Sequence, residues 1–205
     1  MNRLLIIILS FVATISLQAA APTASSILTK TSDKLKTERT LTADFKITSP
    51  GSETTTGKIM IDRDHFRYDA GSTVIAFNGT TQWTVDRETK EINIYNPEAE
   101  EIAQINPFSI LQDYSARYSA KLLRSESAAY YSIELTPKET DQSIRRSVVT
   151  ISSATYLPSK IVMTLSDGTV ATINISNLKT KVNLPKSSFT VKAGDYPGFE
   201  LIDMR

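Results

Sequence analysis

The side chains best suited to chemistry gather in one short stretch, GKIMIDRDHFRYD (57–69). It holds the single histidine of the chain, His65, among Asp62, Asp64 and Asp69 and beside Arg63 and Arg67. Imidazole next to carboxylate is the raw material of general acid–base catalysis, but a triad also needs a nucleophile within hydrogen-bond reach, and nothing in the pattern places one. The stretch alternates instead. Ile59 and Ile61, then Phe66 and Tyr68, fall on one face of two consecutive strands, with His65 on the other. His65 is therefore expected to be a solvated residue at the start of a strand. A pair of carboxylates can hydrolyse glycosides, and either Asp62, Asp64 and Asp69 or Glu98, Glu100 and Glu101 supply the atoms. The first group sits in a strand–turn–strand and the second in a polar connection, both ordinary places for solvated acids. An esterase or glycosidase consequently ranks last among the functions considered.

The same acids lack the D-x-[DN]-x-[DN]-G order of a calcium loop, and Asn78-Gly79-Thr80 is not a phosphate-binding loop. The chain contains no cysteine, which removes disulfides, thiol catalysis and thiolate metal sites. The expectation is a protein with no catalytic residues, no metal and no cofactor.

The elements that carry these residues follow from the hydrophobic pattern. The opening MNRLLIIILSFVATISLQAAAP reads as a secretory signal peptide over residues 1–20, cut near Ala19 to Ala21. Its apolar run from Leu4 to Leu17 is about 14 residues, against roughly 20 for a membrane span. No cysteine stands at the cut to take acyl chains, so the mature protein is expected to be soluble and unanchored. Residues 21–205, about 185, suffice for a single domain with a substantial core. Loss of Arg3 leaves 22 basic against 22 acidic residues with no basic run, which argues against nucleic acid.

Ile27, Leu28, Thr31 and Leu35 recur at helical spacing and predict one amphipathic helix over 24–38, with Ser25 or Ser26 as N-cap. Alternation then takes over, through Phe45 and Ile47, Ile59 and Ile61, Phe66 and Tyr68, Ile75 and Phe77, Trp83 and Val85, and Ile92 and Ile94. Asn78-Gly79 suits a tight type I′ turn, Pro50-Gly51 separates the first two strands, and the charged segment 86–91 reads as a hairpin tip. Pro107, followed by Phe108, Leu111 and Tyr114, predicts a short helix over 107–113. Strands resume at 118–123, 130–136, 147–151, 158–165 and 170–178, and a short one is expected around Phe189 to Val191. A sheet of about eleven antiparallel strands must curl. The fold class expected is mainly β: an incomplete, half-open antiparallel barrel with a helical lid and a concave apolar interior.

The segment FNGTTQWTVDRETKEINIYNP (77–97) resembles the DGKTLW…YNP signature of the periplasmic outer-membrane lipoprotein carriers, the LolA family. The LTADFKI opening (41–47), the GKIMIDRDHFRYD strand pair and the ending FTVKAGDYPGFELIDMR (189–205) are similar to the branch found in Bacteroides-like bacteria. The resemblance spans nearly all of the mature chain. It implies a periplasmic, monomeric, non-enzymatic protein that takes acylated lipoproteins from an inner-membrane lipoprotein-releasing ABC transporter. Such a protein shields their acyl chains in an apolar cavity and delivers them to the outer membrane, either to an acceptor lipoprotein or without one. The cavity-lining set expected on this reading is Phe45, Ile47, Ile59, Ile61, Phe66, Tyr68, Ile75, Phe77, Trp83, Val85, Ile92 and Ile94, with Phe108 and Leu111 from the inserted helix. The resemblance also implies an arginine that latches the lid. Here Arg63 stands one residue out of register and Asp64 replaces the family's proline. The alternative function is a periplasmic lipoprotein- or lipid-binding sensor on the same half-barrel, a class that carries a second domain.

Overall fold

The computed structural model describes residues 21–98, 101–102, 108–112, 114–139 and 143–205. The expected leader, Glu100, Pro107 and position 113 lie outside the described residues. Helix α1 (Ala24–Glu38) begins where the apolar spacing begins, but its cap is Thr23, not Ser25 or Ser26. Thr23 Oγ1 accepts from the amide of Ser26 at 3.1 Å, and Ser26 Oγ accepts from the amide of Thr23 at 3.0 Å. Two amide groups that the first turn leaves over are satisfied by this reciprocal pair. Ile27, Leu28, Thr31 and Leu35 are buried along one face of the helix.

Among the described residues twelve strands form one sheet: β1 (Thr40–Thr48), β2 (Thr55–Asp62), β3 (His65–Ala70), β4 (Thr73–Phe77), β5 (Gln82–Asp86), β6 (Glu91–Tyr95), β7 (Tyr118–Leu123), β8 (Tyr130–Pro137), β9 (Ile144–Ser152), β10 (Pro158–Leu165), β11 (Val170–Thr180) and β12 (Glu200–Asp203). Their order is β12-β6-β5-β4-β3-β2-β1-β11-β10-β9-β8-β7. Two antiparallel meanders, β1–β6 and β7–β11, are sewn together where β1 pairs with β11, Phe45 opposite Ile175 and Ile47 opposite Ile173. The sheet does not close, since β12 and β7 are its two edges.

The end of the chain departs from the sequence-based expectation. Residues 186–189 form a 3-10 turn where a strand was expected at Phe189, and the last strand is β12, which pairs parallel to β6 rather than antiparallel. The connection at Asn78 also differs from a two-residue type I′ turn. It runs from Asn78 to Thr81, with Asn78 Oδ1 accepting from the amides of Thr80 and Thr81 at 3.1 and 2.9 Å and Gly79 at φ +93°. The asparagine side chain organises the turn in place of backbone alone. Short helix α2 (Ser109–Gln112) lies within the span expected for the inserted helix, and α3 (Tyr114–Arg117) lies beyond its expected end at 113.

The main core joins α1, Phe108, Ile110 and Leu111 to one face of the sheet, with Leu41, Phe45, Ile59, Ile61, Phe66 and Phe77 from the first meander and Ile133, Leu135, Val149, Ile151 and Ile161 from the second. A smaller core lies on the opposite face, where Val74, Val85, Ile92 and Ile94 pack against Val191, Tyr196 and Phe199 of the C-terminal segment.

Candidate functional site

Antiparallel register decides which candidate residues share a face, because directly opposed residues project to the same side. Leu41 faces Ile61, Ile61 faces Phe66, and Phe66 faces Phe77; Ile59, Tyr68 and Ile75 form the next row. Phe45 stacks on Tyr68 with ring centroids 4.7 Å apart, and Phe66 meets Phe77 at 5.4 Å. Gly57 makes the first stack possible. A Cβ there would stand 2.6 Å from Phe45 Cζ and 2.3 Å from the Asp69 carbonyl oxygen. Burial pushes the Tyr68 phenol above its ordinary pKa.

Eight of the expected lining residues, Phe45, Ile47, Ile59, Ile61, Phe66, Tyr68, Ile75 and Phe77, therefore lie on the face that α1 covers or pack against that core. Phe108 and Leu111 join them there, both buried. The other four are on the opposite side. Trp83 is opposite Ala76 and Ile94, Val85 is opposite Val74 and Ile92, and all four pack in or against the smaller core. On β5 and β6 the α1-side face carries Gln82, Thr84, Asn93 and Tyr95 instead. The Gln82 amide, fully buried, donates to Tyr95 Oη at 2.6 Å and to Thr84 Oγ1 at 3.2 Å, so the apolar floor ends in a polar border.

An open cleft of about 290 Å³ lies where α1 meets the sheet, lined by Leu35, Lys36, Arg39, Leu41, Ile61, Arg63, Asp64 and Phe108. Leu35, Leu41, Ile61 and Phe108 are buried and form its floor; Lys36, Arg39, Arg63 and Asp64 are exposed and form its rim. The rim is fixed by the backbone. The amide of Arg63 in the β2–β3 turn donates to the carbonyl of Arg39, the C-cap of α1, at 3.0 Å, and both arginines hold φ near +60°. This volume sits at the lower end of ligand-sized pockets, roughly 300 Å³ upward. It accommodates part of one alkyl chain.

Helix α1 is held over the sheet by a few polar contacts besides its apolar face. Tyr114 Oη donates to the Ser25 carbonyl at 3.2 Å and lies within 3.3 Å of Thr29 Oγ1. Lys30 donates to Tyr156 Oη at 3.3 Å and stands 4.9 Å above that ring. At the far end Glu38 pairs with Lys34 at 3.4 Å and with Lys181 of the β11 end at 3.7 Å. A hydrogen bond from Thr180, then Lys181 and Lys34, hold the Glu38 carboxyl below its ordinary pKa. The guanidinium of Arg63 forms no hydrogen bond or ion pair among the described residues, so its link to the helix is the backbone one.

The other candidates serve the fold. His65 is half-buried rather than solvated, its ring 5.6 Å from the buried Phe189 of the 3-10 turn. Asp69 pairs with Arg87 at 3.2 Å and Arg67 at 3.9 Å, and Glu101 accepts from the amide of Glu98 at 2.9 Å. Asp62 is half-buried at the end of β2, opposite His65. Sequence reading passed over Leu35, Lys36, Arg39 and Leu41 as site residues and weighed Asp64 only among the carboxylates. The signal was the direct junction of a helix end to β1, which forces positions 35–41 to border whatever opens there.

Residues 13–169 match the model of the family described as outer membrane lipoprotein carrier protein LolA. No curated protein matches the chain by sequence. The fold is similar to that of an uncharacterized conserved protein from Thermus thermophilus, at 14% identity and TM-score 0.60, over 88% of this chain and 98% of that one. A LolA superfamily protein from Nitrosomonas europaea aligns at 16% identity and TM-score 0.43, over 83% and 99% of the two chains. MucB in complex with MucA from Pseudomonas aeruginosa aligns at 15% identity and TM-score 0.45, over 83% of this chain and 61% of that one.

Proposed function

The chain belongs to the outer membrane lipoprotein carrier protein LolA family, and from that premise we propose that it is a periplasmic carrier of acylated lipoproteins. It holds an acyl chain between α1 and the sheet and performs no covalent chemistry. The observation that carries this reading is the cleft beside the end of α1, with Leu35, Leu41, Ile61 and Phe108 as its floor. Each methylene moved from water into such a floor is favourable by about 0.8 kcal/mol, so a partly inserted chain already binds. The remaining concave residues, Phe45, Ile47, Ile59, Phe66, Tyr68, Ile75, Phe77 and Leu111, are packed under the helix and become available as α1 swings away. On this reading residues 1–20 direct export, residues 21–205 form the working monomer, and an inner-membrane transporter and an outer-membrane acceptor stand at either end of its route.

The test is mass spectrometry of material that co-purifies with the periplasmically expressed protein, paired with release of a lipoprotein from membrane vesicles. Acylated protein in the bound fraction and stoichiometric release support the carrier. A bound non-acylated peptide with no release replaces it with a sensor.

A further inference from the structure

The rim of the cleft has a chemistry that the acyl floor does not require. Arg39 and Arg63 are exposed, and neither guanidinium forms a hydrogen bond or ion pair among the described residues. Lys36 lines the same rim, and Asp64 is the one acid among its described lining residues, with its carboxylate 3.9 Å from His65 Nε2. The two arginines stand over an apolar opening in a chain whose formal net charge is only +1. Several arginines elsewhere on the surface are engaged. Arg87 binds Asp69 and the Gly71 carbonyl, Arg146 binds Glu134, Arg145 binds the Ser166 carbonyl and Arg205 binds Asp203.

We propose that this rim is a headgroup site, so that the cleft takes an amphiphile whose single alkyl chain enters over Leu35, Leu41, Ile61 and Phe108 while its anionic head, a carboxylate or a phosphate, sits between Arg39 and Arg63. The inference rests on the acyl-binding reading above and deepens it. Guanidinium forks suit planar carboxylate and phosphate oxygens, and they lose less on partial desolvation than an ammonium does. The hydrogen bond between the two residues' backbones fixes where the two stems start, and the exposed guanidiniums are ordered on binding.

The experiment is calorimetric titration of the full mature chain with four ligands: laurate, lauroyl lysophosphatidylglycerol, uncharged monolaurin, and inorganic phosphate. At low ionic strength the anionic lipids bind about five- to tenfold tighter than monolaurin, and the preference shrinks as salt screens the exposed pair. The tighter of laurate and the lysolipid identifies the head. Phosphate alone binds far more weakly than either. The double variant Arg39→Gln/Arg63→Gln, with its thermal transition checked first, brings the anionic-to-neutral ratio close to one, whereas Lys121→Gln on strand β7, which does not line the cleft, leaves it unchanged. Equal binding of all three lipids by the wild-type chain overturns the headgroup site and leaves the acyl site standing. Phosphate as tight as the lysolipid overturns it as an amphiphile site. Failure of every lipid to bind removes the acyl reading itself.

Discussion

The two faces of the first meander, β1 to β6, are covered in opposite ways. On one side the C-terminal segment, tied to β6 by the parallel strand β12, seals Val74, Val85, Ile92 and Ile94 with Val191, Tyr196 and Phe199. Backbone hydrogen bonds from Glu200 to Lys90 and from Met204 to Ile94, both 2.8 Å, pin that cover at each end. On the other side the cover is α1, which contributes no backbone ladder to the sheet and rests on side chains, among them a tyrosine hydroxyl, a lysine and a glutamate. A cover held by a ladder is part of the sheet. A cover held by side chains separates from it without breaking the sheet's own hydrogen bonds, and it is beside this one that a cleft opens.

The contrast between the two covers is sharpest at Val85, which is fully buried under the C-terminal segment. Val85→Asp places an unpaired carboxylate there and is expected to cost more than about 4 kcal/mol. Urea unfolding measures it, and a loss of less than about 1 kcal/mol would show that the tail peels off as easily as the helix. Leu28→Ala in α1, also fully buried, is expected to cost about 2–5 kcal/mol and to weaken retention of a fluorescent fatty acid. If that variant unfolds as severely as Val85→Asp, α1 is no looser than the tail. Gly57→Ala tests the floor beneath the helix. The added methyl overlaps Phe45 and the Asp69 carbonyl and is expected to cost about 1–3 kcal/mol, seen as a lower melting temperature with the Phe45–Tyr68 stack disturbed. The smallest effect belongs to Glu38→Gln. Because the folded carboxyl titrates below its unfolded value, its contribution is present above the unfolded pKa and disappears as pH falls through the folded one. The difference in melting temperature between wild type and variant should be measurable near neutral pH and vanish in strong acid; a difference that persists there would assign the effect to packing.

Much of this architecture is legible in the residues. Apolar spacing from Ile27 to Leu35 marks α1, and alternation marks the strands, since those periods are imposed by backbone geometry itself. The division of the strands between faces was also present but harder to see. An even number of residues in the turn after Phe77, two or four alike, pairs odd positions with even ones. Ile75 and Phe77 therefore cannot share a face with Trp83 and Val85. Strand β4, TVIAF, is apolar on both sides for the same reason: it is the strand at which the core passes from one face to the other. The rim of the cleft was not legible, because Arg39 and Arg63 are far apart in sequence and meet only when the β2–β3 turn folds back to the helix end. The parallel docking of β12 is likewise a long-range pairing with no local signature.

The seam between β1 and β11 also sets an order of events in time. As the chain emerges from its N-terminus, α1 and the first meander are complete while the outer edge of β1 still lacks its partner, because Phe45 and Ile47 must wait for Ile175 and Ile173. Contacts this distant along the chain make folding slow and leave a bare strand edge in the interval. The helix has the same problem, since its core neighbours Ile133, Val149 and Ile161 arrive late. Folding of this protein is thus expected to finish only after nearly its whole length is available. A holding factor that masks the free edge of β1 would raise its yield more than one that acts on the finished sheet.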